Sequence, residues 1–210
     1  MEGVKKGTTT IGLVCKDGVV LAADKRATSG SFIVNRDIEK LYQISDNMIL
    51  TMAGTVSDAQ LLSKLIKAEL ALKHMRTDRP STVKEGANLL AGMIYSNIRK
   101  MSMIPGISHF VIGGKDDEGY HVYDLFADGS ITEVHDFISS GSGSVMAYGV
   151  LETLYKKGLT VSEGVKLAVK AINAALKRDS ASGNGVDVYT VTASGIQKAY
   201  SKQLDETLEA

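Results

Sequence analysis

Apolar positions along the chain alternate between a two-residue and a 3.6-residue period, which predicts strands in blocks separated by pairs of helices. The first block has a β-prone run from Thr9 to Val14, a turn at Lys16-Asp17-Gly18, and a second run from Val19 to Ala23 that reads as a hairpin. Phe32 to Asn35, Leu41 to Ser45 and Met48 to Met52 follow as short strands, with Asp46-Asn47 turning between the last two. The period then lengthens. Leu61, Leu62, Leu65, Ile66, Ala68, Leu72 and Met75 fall on one stripe, with Ser57 and Asp58 at the helix start and Lys73 and Arg76 near its end. Arg79-Pro80 breaks that helix, and a second opens at Ser81 or Thr82. It places Val83, Ala87, Leu90, Ile94, Ile98 and Met101 on one face and ends before Pro105-Gly106, making an antiparallel helix pair.

The second half repeats the pattern. His109 to Ile112, Tyr120 to Phe126 and Ile131 to Val134 read as a meander, with turns at Asp116 to Gly119 and at Asp128-Gly129. Ser140-Gly141-Ser142-Gly143-Ser144 leads into a helix carrying Ala147, Val150, Leu151 and Leu154. Thr160-Val161-Ser162-Glu163 is a capping box for the next helix, whose stripe is Val165, Ala168, Val169, Ile172 and Leu176. Two strands, Val186 to Thr192 and Ile196 to Ser201, precede a polar tail. Blocks of strands between helix pairs do not fit the strand-helix alternation of a parallel fold. They predict an α+β class: two antiparallel sheets facing each other, each covered outside by helices, a four-layer αββα sandwich in one domain.

Twenty-four basic and 24 acidic residues cancel among 210, which removes the field that would draw nucleic acid or an anionic membrane. The single Cys15 has no internal disulfide partner and suits a reducing compartment as a small buried hydrophobe. The leader Met1 to Gly7 lacks an apolar core, and no apolar run approaches the ~20 residues of a membrane span, so a soluble, cytoplasmic protein is expected. His74, His109, His121 and His135 show no ligand spacing; no metal and no cofactor are expected.

The chemistry begins at Gly7-Thr8-Thr9-Thr10. The threonines make a good strand start. Cutting the Gly7-Thr8 bond also turns Thr8 into a residue with a hydroxyl nucleophile and an α-amine, whose pKa near ~8 suits a general base. Acyl transfer from such a nucleophile needs a cation, oxyanion donors and groups to orient the amine. Asp24 ends the second strand and Lys40 precedes Leu41, although a turn carboxylate and a solvated Glu39-Lys40 pair are the plainer readings. Gly54 either aims its amide at an anion or permits a tight turn. Ser140 to Ser144 lacks the lysine of a phosphate loop, and Arg178-Asp179-Ser180-Ala181-Ser182-Gly183 is either a polar helix end or a catalytic support.

Together, Gly7-Thr8-Thr9-Thr10, Ala22-Ala23-Asp24-Lys25-Arg26, Glu39-Lys40-Leu41, Met52-Ala53-Gly54, Ser140 to Ser144 and Arg178 to Gly183 resemble the proteolytic β-subunits of the 20S proteasome, archaeal type, among the N-terminal-nucleophile hydrolases. The segments span the chain in the family's order, with no departure at the matched positions. The resemblance implies residues 1-7 as an autocleaved propeptide and 8-210 as the peptidase domain, the chain from Met1 being the inactive precursor. It implies Thr8 as nucleophile, Lys40 paired with Asp24 as the cation, Gly54 as the oxyanion donor, and Ser144, Asp179 and Ser182 as the groups that orient amine and water. Ala27, Ile38, Met52 and Val56 would line the pocket before the cut and Thr28 and Gly54 would bind substrate backbone, giving broad specificity for cleavage after apolar residues. The implied partners are a homo-oligomeric β ring, α-subunit rings, an ATP-driven unfoldase and polypeptide substrates. The competing readings are a noncatalytic ring-building subunit and the bacterial two-ring threonine peptidase.

Overall fold

The structure, a computed structural model, describes residues 7–103 and 105–204. Leader positions 1–6 and the tail beyond residue 204 lie outside the described residues. The strands β1 (Thr10–Cys15) and β2 (Gly18–Asp24) form the expected hairpin, followed by a small hairpin of β3 (Ala27–Ser29) and β4 (Phe32–Asn35). Next come β5 (Leu41–Gln43), β6 (Met48–Gly54), α1 (Val56–Thr77) and α2 (Val83–Ile98). The meander is β7 (Ser108–Asp116), β8 (Gly119–Leu125) and β9 (Ile131–Val134). The chain continues through β10 (Phe137–Ser140), α3 (Ser144–Leu154), α4 (Val161–Leu176), β11 (Gly185–Thr192) and β12 (Gly195–Gln203).

Two five-stranded antiparallel sheets result, ordered β10-β1-β2-β11-β12 and β5-β6-β7-β8-β9. Three apolar clusters show how the layers stack. Val19, Leu21, Ile49, Val111 and Val122 fill the space between the sheets. Leu50, Phe110 and Ile112 point the other way, onto Leu62, Ile66, Leu90 and Ile94 of α1 and α2. Ile11, Leu13, Val20 and Val188 meet Leu151, Leu167, Ala168 and Ile172 of α3 and α4. Strand alternation sends successive residues to opposite faces, so both faces of both sheets are apolar and the molecule is the four-layer αββα sandwich.

Local chemistry sets the helix ends. Thr82 and Glu85 form a reciprocal capping box at α2, and Thr160 and Glu163 form the one expected at α4. The sequence reading of α1 needs correction. Its buried residues are Ala59, Leu62, Ser63, Ile66 and Leu70, whereas Leu61, Leu65, Leu72 and Met75 are 50%, 44%, 42% and 78% exposed. The helix is apolar on two faces and only one of them meets the sheet. Helix α2 stops at Ile98, so Met101, expected on its face, is fully exposed beyond it. Strands β3 and β10 were not anticipated; β10 is an edge strand that, among the described residues, pairs only with β1. Among the described residues no helix is long and apolar enough to cross a membrane.

Candidate active site

Strand register gathers the expected residues at one end of the sandwich. Pairing of Thr10 with Ala23 places Asp24 opposite Thr9, and the Asp24 N–H donates to the Thr9 carbonyl at 3.1 Å. Pairing of Val186 with Asp24 brings the turn after α4 to the other side of β2. Pairing of Thr10 with Ser140 delivers the Gly141-to-Ser144 turn beside Thr8. Lys40 enters from the second sheet, where its carbonyl accepts from Met52 N–H at 3.0 Å.

Asp24 is the hub. It is 1% exposed, and its Oδ1 accepts from Lys40 Nζ at 2.6 Å and from Thr9 N–H at 2.9 Å. Its Oδ2 accepts from the backbone N–H groups of Arg26 at 3.1 Å and Gly183 at 2.9 Å. A buried carboxylate is costly unless its lone pairs are filled, and here four donors fill them. Lys40 is buried at 3% exposure, and loss of hydration pushes its pKa below the ordinary lysine value despite the opposing pull of Asp24.

Around Thr8 the contacts are equally specific. Its Oγ1 donates to the Gly7 carbonyl oxygen at 2.6 Å, and Gly7 N–H donates to Thr28 Oγ1 at 3.1 Å. Gly7 lies so close to Ala181 that a Cβ added to it would fall 1.8 Å from the Ala181 Cβ and 2.3 Å from its carbonyl oxygen. Thr8 N–H reaches Ser142 Oγ at 3.4 Å. Ser142 Oγ and Ser182 Oγ both donate to Asp179 Oδ2, at 2.5 and 2.7 Å. Thr8 and Lys40 share an open cleft with Gly7, whose empty volume is ≈ 330 Å3. Ala27, Thr28, Ile38, Met52 and Val56 line it, as do Gly54, Ala53 and Ala59. Gly54 closes β6 at φ 110°, where an added Cβ would strike the Ile107 carbonyl oxygen at 2.3 Å, so glycine is required there.

A family model described as proteasome subunit matches residues 4–191. The chain belongs to the proteasome subunit family. Its relatives include Proteasome subunit beta of Ferroglobus placidus, 46% identical over 209 residues that cover 100% of this chain and 96% of that one. Proteasome subunit beta of Archaeoglobus profundus is 44% identical over 209 residues, covering 100% and 95%. That of Methanothrix thermoacetophila is 43% identical over 205 residues, covering 98% and 97%.

In this proteasome subunit the structure brings Thr8, Asp24, Lys40, Gly54, Asp179 and Ser182 to one place, and the four expected pocket residues line the cleft together with Thr28. Ser144 is the exception. It begins α3, where its N–H donates to the Gly141 carbonyl at 3.2 Å, and Ser142 makes the contacts to Thr8 and Asp179 expected of it. Both serines follow a glycine, so composition alone did not separate them. The distinguishing signal is that Ser142 is flanked by glycines on both sides and stays in the turn, whereas Ser144 takes the first helical position. Sequence reasoning also passed over Thr9 and Gly183, whose backbone N–H groups complete the Asp24 shell.

A threonine hydroxyl beside a carbonyl, a buried cation on a fixed carboxylate, and a second carboxylate reached through serine hydroxyls supply the groups that acyl transfer requires.

Proposed function

We propose that this β-subunit of the 20S proteolytic core is an N-terminal threonine endopeptidase that first cuts itself. Residues 1-7 are its propeptide and residues 8-210 its peptidase domain. The observation that carries this reading is the Thr8 hydroxyl held 2.6 Å from the Gly7 carbonyl oxygen, in a cleft shared with the Asp24-bound Lys40.

In the precursor Thr8 Oγ attacks the Gly7 carbonyl carbon. The Oγ–C bond forms, the C–N bond breaks, and the nitrogen takes the proton that leaves the hydroxyl, giving an ester and a free α-amine. Water then hydrolyses the ester, the leader departs with the Gly7 carboxylate, and Oγ regains a proton. In the mature enzyme the amine serves as base, directly or through water, and the same hydroxyl opens a substrate peptide bond by an acyl-enzyme ester. Lys40 favours the developing alkoxide. Gly54 N–H takes the oxyanion, a role whose loss costs about 10²–10³ in rate in comparable sites.

Asp179 and Ser182 orient the amine with Ser142, which replaces Ser144 in this role on the distances above. Ala27, Ile38, Met52 and Val56 form an uncharged pocket that takes apolar side chains with weak size selection, while Thr28 and Gly54 hold substrate backbone. The subunit works in a β ring between α-subunit rings, in the cytoplasm, on polypeptides delivered by an ATP-driven unfoldase.

Intact mass and peptide assays on the assembled particle test this reading. Wild type is expected to lose Met1 to Gly7 and to prefer Leu or Tyr before the cut, and Thr8→Ala is expected to keep the leader and lose activity. A Thr8→Ala protein that sheds its leader unaided, or a particle preferring Arg or Glu, sinks it.

A further inference from the structure

Thr9 is fully buried and touches both halves of the site. Its backbone N–H donates to Asp24 Oδ1, the oxygen that also accepts from Lys40 Nζ. Its hydroxyl lies 2.7 Å from Ser182 Oγ. Proton counting gives that last bond a direction. A serine hydroxyl has one proton, and Ser182 commits its own to Asp179 Oδ2. Ser182 Oγ therefore accepts from Thr9, and Thr9 is the donor. The same count applies to Ser142, whose proton also goes to Asp179 and whose oxygen is left to accept from Thr8 N–H.

We infer that Thr9 is a positioning residue for the reaction, joining the Lys40–Asp24 pair to the groups that hold the Thr8 nitrogen. This inference rests on the threonine-peptidase reading of the site. The hydroxyl chain runs from Thr9 through Ser182 to Asp179, and from there Ser142 reaches Thr8. Donors in series polarise one another, so the Thr9 proton strengthens the bond from Ser182 to Asp179 and withdraws charge from that carboxylate. Without it Asp179 presents more negative charge toward the amine of the mature enzyme, favours the ammonium, and leaves less free base at a given pH. The main-chain bond to Asp24 fixes Thr9 relative to Lys40, so nucleophile, cation and base are registered by Thr8 and Thr9, the two consecutive residues that lead into β1.

Assembled particles carrying Thr9→Val, Thr9→Ala and Thr9→Ser are compared with wild type by intact mass and by kcat/KM against pH on a fluorogenic peptide ending in Leu. Thr9→Val keeps the shape and removes the donor; roughly a three- to tenfold lower kcat/KM is expected, the worth of one ordinary hydrogen bond. The acid limb of the profile should move to higher pH, and Thr9→Ser should restore both rate and limb. In combination with Ser182→Ala, either substitution should cost less than the sum of the single effects. A wild-type profile for Thr9→Val, failure of Thr9→Ser to rescue, or strict additivity with Ser182→Ala overturns the inference. Should Thr9→Val hinder assembly, Thr9→Ala and its Ser182→Ala cycle decide by the same criteria. A wild-type particle that retains its leader or is inactive would instead overturn the threonine-peptidase reading.

Discussion

Gly7 is held against Ala181 with no room for a side chain: a Cβ on Gly7 would sit 1.8 Å from the Ala181 Cβ and 2.5 Å from its carbonyl carbon. The contact fixes the backbone just ahead of Thr8, and the Gly7 N–H bond to Thr28 Oγ1 fixes it from the other side. The Gly7 carbonyl is thereby presented to the Thr8 hydroxyl.

Gly7→Ala is accordingly expected to accumulate precursor. The clash involves the Ala181 backbone as well as its side chain, so local rotamer changes do not relieve it, and small displacements of reacting atoms cost as much as ~10²-fold in rate. Removing the Ala181 methyl in a Gly7→Ala, Ala181→Gly double variant should not restore cleavage, because the carbonyl remains 2.3 Å from the new Cβ. Time-resolved intact mass after assembly reads the outcome. Leader loss at the wild-type rate in Gly7→Ala would show that the Ala181 contact does not govern cleavage.

Much of this arrangement was legible in the sequence because it follows from strand order. A hairpin from Thr9 to Ala23 sets Asp24 opposite Thr9 whatever the helices do, and the capping boxes name themselves by their spacing. The failures have physical causes. Helix α1 carries two apolar faces, and periodicity reports that a face is apolar without reporting which layer covers it; Leu61 and Leu65 stay exposed while Leu62 and Ile66 are buried. Strand β10 is four residues, Phe-Ile-Ser-Ser, half of them polar, and pairs along β1 at the sheet edge. Its Ser139 and Ser140 bond to the Thr10 carbonyl and hydroxyl, interactions between residues far apart in sequence. The choice between Ser142 and Ser144 turns on where α3 begins, which spacing locates only to within a residue or two.

The Lys40–Asp24 pair should behave as a unit in stability. Lys40→Met leaves a buried carboxylate with its three backbone donors, and Asp24→Asn leaves a buried ammonium without its paired carboxylate, Asp179 acting only from farther off. Removing one partner of a buried pair costs roughly 3–5 kcal/mol. The double variant Asp24→Asn, Lys40→Met removes both charges and should lose clearly less than the sum of the two. All three should be inactive if Lys40 supplies the cation. Urea unfolding of the unassembled subunit at fixed concentration measures the cycle, and strictly additive losses would show the two charges to be independent.

The lowered pKa of Lys40 gives activity and stability opposite slopes at alkaline pH. Burial destabilises its ammonium, so the folded protein releases that proton at a lower pH than an exposed lysine does, near about 10.4. If the charged form is the catalytic one, kcat/KM must begin to fall below that value. For folding the sign reverses. Between the folded and unfolded pKa values the unfolded chain binds more protons, so the Lys40 contribution to stability rises with pH across that window. Wild type should therefore lose activity as the pH climbs toward ~10 while its stability advantage over Lys40→Met increases. Peptide assays and paired urea midpoints along the same pH series test both slopes. An activity profile that stays flat until exposed lysines titrate would mean that Lys40 does not act as the cation, and a stability difference that falls with pH would mean that its pKa is not lowered in the fold.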